Sequence, residues 1–487
     1  MDHFIHHKKQ LYRKGICKIE NIQVIDAPCG SGKTEYIIRY MNDHSEQRFL
    51  YISPLREMFD RIEGKGQYEG RGVVAPFRTP DNKNHKHTKL ESIKQLLRAG
   101  ANIMSTHALF MMFDDEAIEI LKSRDYHLII DEAINAATVI KTAKTTEKNE
   151  ENDEDDIFRD LDQRVRADDI NFLVQHGAAK IDADNYGAIE WVDDYEGGED
   201  HRYADLEKMI KSGAMSQVKD TFLIWHFPTK VLAVFKNITV LTYRFRHSIM
   251  RCYLDFNEMN YDHKTVVWVD NAPQLTDFTE EVETGSQWAK YVNIFEGQKL
   301  NAIGVREKGK SYPLSYTWYG KPVNSTDLKT LKNNCTNYFR HKMKAPTNAV
   351  MWTTYKAAKD RIAPSGYTAI DIVAEDGTIA KEKTFVACTC KATEHYKDKY
   401  ILAYLIDRHL NPGLERFFEQ KGITIDKNEW ALSELIQWLF RSRIRDSRAE
   451  DRNVYIYIPS ARMRKLLKKW LDTGEKRSAS RPADRAA

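Results

Sequence analysis

Residues Ala27-Pro28-Cys29-Gly30-Ser31-Gly32-Lys33-Thr34 have the types and spacing of a loop that wraps a phosphate chain. The general pattern is G-x-x-x-x-G-K-[ST], with Ala27 in place of the first glycine. Glycines let successive backbone N–H groups curl around phosphate oxygens, and a following helix adds its positive N-terminus. Lys33 would reach the β- and γ-phosphates, and the Thr34 hydroxyl would hold Mg²⁺. A second chemical centre is Asp131-Glu132, directly after the apolar run Leu128-Ile129-Ile130. In that position Asp131 would hold Mg²⁺, directly or through water, and Glu132 would orient and deprotonate an attacking water.

Both motifs need elements to aim them. Ile22-Gln23-Val24-Ile25 reads as a buried strand before the loop, and Glu35-Tyr36-Ile37-Ile38 as the helix after it. Further strands are expected at Phe49–Ile52, Ala101–Met104, His127–Ile130 and Ile238–Leu241, alternating with helical stretches. That alternation is the signature of a mainly parallel α/β sheet, whose ligands lie at the carboxyl ends of the strands. Two of these strands run into Ser53-Pro54-Leu55-Arg56 and Ser105-Thr106-His107-Ala108-Leu109. Hydroxyls and an arginine there can bind sugar-phosphate oxygens without reading bases, or simply form turns and helix caps. Thr242 closes Val240-Leu241 and could couple the phosphate site to a second domain, or simply be a β-branched strand residue.

The second half repeats the pattern without a phosphate loop. Strands are expected at Thr265–Val269, Ala349–Trp352, Thr384–Ala387 and Val454–Ile458, with helices at Tyr400–His409 and Leu432–Phe440. The first half's strands are interrupted by a charged, apolar-poor stretch from about 142 to 160, expected to be a loop or hairpin, and from there to about 215 by residues expected to form a small insertion.

Composition sets outer limits. The chain has 487 residues, 42% hydrophobic and 30% charged, which fits two or three globular domains. No apolar run is long enough to span a bilayer, and the His- and Lys-rich start lacks a secretory h-region. The six cysteines are scattered at 17, 29, 252, 335, 388 and 390, which argues for a reducing cytoplasm over a disulfide framework. Cys388 and Cys390 lack the spacing of a zinc site. Net charge is only +3, but Glu147–Asp156 is acidic and Arg441–Arg485 is basic, which suits a local path for nucleic acid or a solvated face.

The order of these motifs resembles a superfamily 2 helicase of the DEAD/DEAH-like type. The matching elements are A-x-x-G-x-G-K-T at the loop, S-P-x-R, S-T-H, the D-E-A-x box and a threonine-bearing strand. In the second half, Met351–Lys356 resembles the partner domain's opening strand motif. Ala387–Glu394 resembles the motif that touches nucleic acid and nucleotide, and Gln437–Arg445 resembles the arginine-finger motif. Ala403–Leu405 to Asn411-Pro412, and Tyr457–Ser460, look like segments of helicase-like proteins from bacteriophages and mobile elements. The sequence departs from the family in reading Asp-Glu-Ala-Ile at the box, in lacking an adenine-reading glutamine motif, and in having Phe440 where the family has glycine.

The resemblance implies two RecA-like parallel-sheet domains in tandem: 1–248, carrying the charged insertion at about 142–215, and 249–472, followed by a disordered basic tail at 473–487. It implies ATP and Mg²⁺ as cofactors, with ATP on Ala27 through Thr34 and Mg²⁺ on Thr34 and Asp131. Lys33, Asp131, Glu132, Arg441 and Arg445 would be catalytic. Ser53, Arg56, Thr106, His107, Thr354 and Thr389 would bind nucleic acid, while Thr242 and Gln437 couple the two activities. Arg441, Arg445 and Arg448 fall at i, i+4, i+7 and would share one helix face, with Arg443 elsewhere. The activity implied is ATP-dependent movement along, or unwinding of, a nucleic acid in a cytoplasm, with DNA favoured and replication or recombination proteins as partners. An RNA helicase, or an ATP-gated clamp with little unwinding, stays open.

Overall fold

The computed structural model describes residues 21–473 except 55, 82–87, 141–168, 193–202, 220–221, 307–311, 322–323, 374–378, 390–394 and 446–450. The acidic run Glu147–Asp156 and nearly all of the basic tail lie outside the described residues. Two compact units result: Met1–Ala27, Ser31–Phe278 and Asn411–Ile425 form the first; Pro28–Gly30, Thr279–Leu410 and Asp426–Ala487 form the second.

In the first unit the strands β1 (Ile22–Asp26), β2 (Arg48–Ser53), β3 (Phe77–Arg78), β4 (Asn102–Thr106) and β5 (Tyr126–Asp131) alternate with helices. An excursion follows: β6 (Ala137–Ile140), β7 (Ala179–Asp182), β8 (Ala188–Trp191), β9 (Met215–Val218) and β10 (Phe222–His226). The chain then returns through β11 (Asn237–Thr242), β12 (Tyr261–Val269) and β13 (Ala272–Asp277). The main sheet has the order β13-β12-β1-β11-β5-β2-β4-β3 and is parallel except for the terminal β12–β13 hairpin. Covering both faces of such a sheet demands nearly continuous apolar strands. Accordingly Val24, Leu50, Ile103, Leu128, Ile130 and Val240 fill one side, and Ile25, Tyr51, Met104, Ile129 and Leu241 fill the other under the helix Lys33–Asp43.

The insertion is a five-stranded antiparallel sheet of order β6-β10-β9-β8-β7, so it is a built subdomain, entered and left by neighbouring strands. The helix Pro412–Glu419, distant in sequence, belongs with this unit. It closes on the sheet at Gly413, where an added Cβ would sit 2.7 Å from the Phe222 ring and 2.9 Å from Val139. Phe417 then stacks on His226 and Phe256, with ring centroids 5.7 and 4.5 Å away.

The second unit is built on a four-stranded parallel sheet. Its strands are β14 (Val292–Ile294), β15 (Val350–Thr353), β18 (Ile401–Tyr404) and β19 (Val454–Tyr457), in the order β14-β19-β18-β15; β16 (Ala369–Val373) and β17 (Ile379–Lys383) form a separate hairpin. Trp352, Tyr404, Trp438 and Tyr457 are fully buried around it. The indole N–H of Trp438 donates to the Val386 carbonyl (3.1 Å) and that of Trp352 to the Thr384 hydroxyl (3.0 Å), so neither ring is buried at the cost of an unpaired donor.

The α/β class with parallel sheets in tandem is thus present. Three elements differ from expectation. Thr265–Val269 continues β12, whose Tyr261–Lys264 pair with β1 and whose later residues pair with β13, so it is part of the first sheet, not the second. Tyr400–His409 is not a helix: Ile401–Tyr404 is the fully buried strand β18, and an unbroken apolar run in a central parallel strand has no periodicity to separate it from a buried helix. Thr384–Ala387 makes only an isolated bridge, Phe385 to Trp352.

Candidate active site

At the carboxyl end of β1 the chain turns through the phosphate-type loop. Gly30 (φ 80°) and Gly32 (φ 102°) both have left-handed backbone, which a Cβ would oppose, and the helix Lys33–Asp43 starts directly after the second. The Lys33 ammonium donates to the Ala27 carbonyl at 2.5 Å, so it folds back over the loop it would serve. Asp26, the last residue of β1, is fully buried and anchors the base of the loop. Its carboxylate accepts from the backbone N–H of Arg244 (2.7 Å) and Phe245 (2.9 Å) and lies 3.2 Å from Nε2 of His263.

The acidic pair stands two strands away. β11 lies between β1 and β5, with Asp26 in register with Thr242 and Leu241 with Asp131. The end of β11 therefore braces both motifs: Thr242 accepts from the Ala27 N–H (3.1 Å) and Leu241 from the Glu132 N–H (2.8 Å). Thr242 itself is buried between them. Glu132 has φ 65°, a conformation disfavoured for a residue with a Cβ and recurrent at functional turns.

Asp131 is 6% exposed. Burial, and then the neighbouring Glu132, push its carboxyl up to about 6, against the pull of the Tyr51 hydroxyl, Lys33 and Arg61. The Ser53 hydroxyl donates to Asp131 Oδ2 at 3.4 Å, and His107 Nε2 donates to the Asp131 carbonyl at 2.9 Å. A buried carboxylate beside a second acid is stabilised by a cation. The Thr34 hydroxyl and Asp131 carboxylate are hard oxygen donors of the kind that Mg²⁺ uses sparingly while keeping phosphate oxygens and waters. Among the described residues, no group of three or more His, Cys, Asp or Glu side chains could hold a metal ion.

The other expected residues fall in diverse settings. Ser53 is fully buried beside Asp131, and His107 is buried against the same residue, so both border the acidic pair. Thr106 caps the helix His107–Met111 by accepting from the Leu109 N–H at 3.3 Å. Arg56 is exposed at the start of the helix Glu57–Glu63. In the second unit Thr354 is buried just after β15, Thr389 is exposed in a turn, and Gln437 is half-buried on the helix Lys427–Leu439.

The arginines require a correction. The helix ends at Leu439, and Arg441 hydrogen-bonds back to the Trp438 carbonyl (3.2 Å) in a tightened last turn before a short 3₁₀ segment, Arg443–Arg445. Arg441 and Arg445 therefore share no continuous helix face, and Arg448 lies outside the described residues. Arg441 is buried, Arg445 half-buried, and the Arg443 guanidinium stacks 4.0 Å over the Tyr400 ring. Sequence reasoning also passed over Asp26, His263, Tyr51 and Trp268, the last of which donates its indole N–H to the Ser31 carbonyl at 2.8 Å.

Comparison with known proteins fixes the family. The SPbeta prophage-derived uncharacterized protein YonV of Bacillus subtilis (strain 168) is 32% identical over 461 residues, spanning 93% of this chain and 99% of that protein. The chain belongs to the YonV family. A family model described as the YonV C-terminal Rossmann-like domain matches residues 286–471, which takes in the whole sheet of the second unit. Among solved structures, the apo form of XPD aligns with a TM-score of 0.46 at 13% identity, over 92% of this chain and 95% of that one. S. tokodaii Xpd4 aligns with a TM-score of 0.42 at 14% identity, over 96% of this chain and 98% of that one. Among the described residues of this YonV-family chain, no helix is long and apolar enough to cross a membrane.

Proposed function

We propose that this chain is a nucleic-acid-stimulated ATPase that translocates on or unwinds DNA. The observation that carries the reading is the brace at the end of β11, which holds the loop on one side and Asp131-Glu132 on the other through two backbone hydrogen bonds. A phosphate loop alone binds nucleotide; a loop tied to a paired acid on the next strand but one also has a base for water. Lys33 is to leave the Ala27 carbonyl for the terminal phosphates and offset their charge. Glu132 is to align a water and accept its proton. Asp131 must be ionised to serve, and Lys33 and Arg61 favour that state. Mg²⁺, when bound at Thr34 and Asp131, would supply charge neutralisation on the phosphate oxygens. Arg441 and Arg445 keep, within this proposal, the role of stabilising charge that develops on the transferred phosphoryl group.

DNA is favoured over RNA because a full-length relative is described as prophage-derived, and a phage protein of this kind fits replication or recombination. The deciding experiment is ATP turnover measured against a panel of single- and double-stranded DNA and RNA, with strand displacement scored in parallel. The expected result is stimulation by DNA and its loss in Lys33→Ala. Turnover indifferent to every polymer, or unchanged in Lys33→Ala, would overturn the proposal. Slow, stimulated hydrolysis with no displacement or movement would identify a clamp. Arg441→Ala and Arg445→Ala, made singly, separate the two arginines: a true finger loses about 10³-fold in kcat.

A further inference from the structure

The β12–β13 hairpin extends the first sheet on the side of β1 opposite the acidic pair. β12 pairs with β1 only as far as Ile25 with Lys264, so Thr265–Val269 run on past the end of β1, alongside the phosphate loop. The extension is braced. β13 pairs with it from Lys264–Asp277 to Val269–Ala272, and the two-residue turn Asp270-Asn271 has left-handed φ of 49° and 60°, as a tight hairpin requires. Val266 is buried in the core beneath the helix Lys33–Asp43, with the half-buried Leu275 packed against that core. Trp268 lies two residues on, hence on the same face. Its indole bonds the Ser31 carbonyl, and its ring lies so close to Gly32 that a Cβ there would come within 2.9 Å of it. Yet Trp268 is 54% exposed. A large aromatic ring is thus held on the loop's backbone with more than half its surface open.

Resting on the nucleotide reading above, we propose that Trp268 is the platform on which the base of the bound nucleotide stacks. Strand order supplies the direction. The reacting phosphate belongs at Asp131 and Glu132, on the β5 side of the loop. A phosphate chain laid along the loop from that end leaves its nucleoside on the β12 side, where Trp268 stands. An indole face holds any purine by stacking and reads no hydrogen-bonding edge, so ATP and GTP depend on it alike, and a bare phosphate chain does not depend on it.

The test is calorimetric titration of wild type, Trp268→Phe and Trp268→Ala with ATP, GTP and inorganic tripolyphosphate, alongside Lys33→Ala, with thermal melts to confirm folding. The expected outcome is a loss of about tenfold in ATP and GTP affinity for Trp268→Ala, substantial retention in Trp268→Phe, and unchanged tripolyphosphate affinity. Equal losses for ATP and tripolyphosphate would make Trp268 a prop of the loop and overturn the proposal. Unaltered ATP affinity would overturn it as well. If the wild type binds ATP through Lys33 and Trp268 as described, yet no nucleic acid stimulates turnover, the platform stands and the helicase reading falls. If the wild type binds no ATP, both fall.

Discussion

The Asp26 carboxylate is buried under the loop with two backbone N–H groups and the His263 ring as partners. Removing it strands donors that water does not reach, and each such donor costs about 1–3 kcal/mol. Asp26→Ala is therefore expected to lose roughly 2–4 kcal/mol of stability, read by denaturant unfolding, and to weaken ATP binding although Asp26 touches no phosphate in this scheme. Glu132→Gln separates chemistry from binding in the opposite way. It removes the proton acceptor but keeps size and polarity, so kcat should fall about 10²-fold or more while ATP affinity stays near wild type. An equal fall in affinity would assign Glu132 to ground-state binding. The loop carrying Lys33 and Thr34 and the Asp131-Glu132 pair stand out in the sequence as candidates because each motif is local and follows its own strand. Asp26 was not, because its two backbone donors lie 218 and 219 residues away and a lone acid at a strand end carries no signal.

At the scale of elements, strands bounded by polar motifs were readable and those defined by pairing were not. Thr265–Val269 is legible as a strand, but only the register of the preceding Tyr261–Lys264 with β1 assigns it to the first sheet, and with that assignment comes the position of Trp268. The arginine segment was misread because helical spacing was carried past Leu439. There Ser442 bonds back to the Leu439 carbonyl (2.7 Å) and competes with helix continuation. Strand β5 contains an element-level prediction. His127 is 5% exposed, pairs Nε2 with the Thr239 hydroxyl of β11 at 2.8 Å, and packs edge-on to Tyr40. Burial, then the nearby His44, pull its pKa down to about 4. Its unfolded value is about 6.5, so the native state favours the neutral ring. Stability from this group is complete above that value and is lost as pH falls toward 4, amounting to about 2 kcal/mol by pH 5. Urea unfolding at pH 7 and pH 5 should show that decrement in wild type and a smaller one in His127→Gln. Equal decrements would place the acid sensitivity elsewhere.

For the whole molecule, the path of the chain matters as much as the two sheets. Residues Asn411–Ile425 leave the second unit's sequence and join the first, and the chain then resumes the second at Asp426. The helix Pro412–Glu419 covers Phe222 and Val139 through Gly413 and stacks Phe417 on His226 and Phe256. No single cut therefore yields a complete first unit. A chain ending at Phe278 keeps the phosphate loop, the acidic pair and the insertion sheet but leaves that aromatic seat bare. Each uncovered large side chain forfeits about 1.5–3 kcal/mol of burial, and a contiguous apolar patch invites association. Such a chain should melt lower than one in which residues 411–425 are fused back after Phe278, and it should bind an apolar dye that the fused chain excludes. Identical melts and dye binding would show that the helix only rests on the insertion sheet. A restored melt would instead make the helix structural to the first unit, so that a chain broken after Phe278 reports on a missing core element as well as on the missing second sheet.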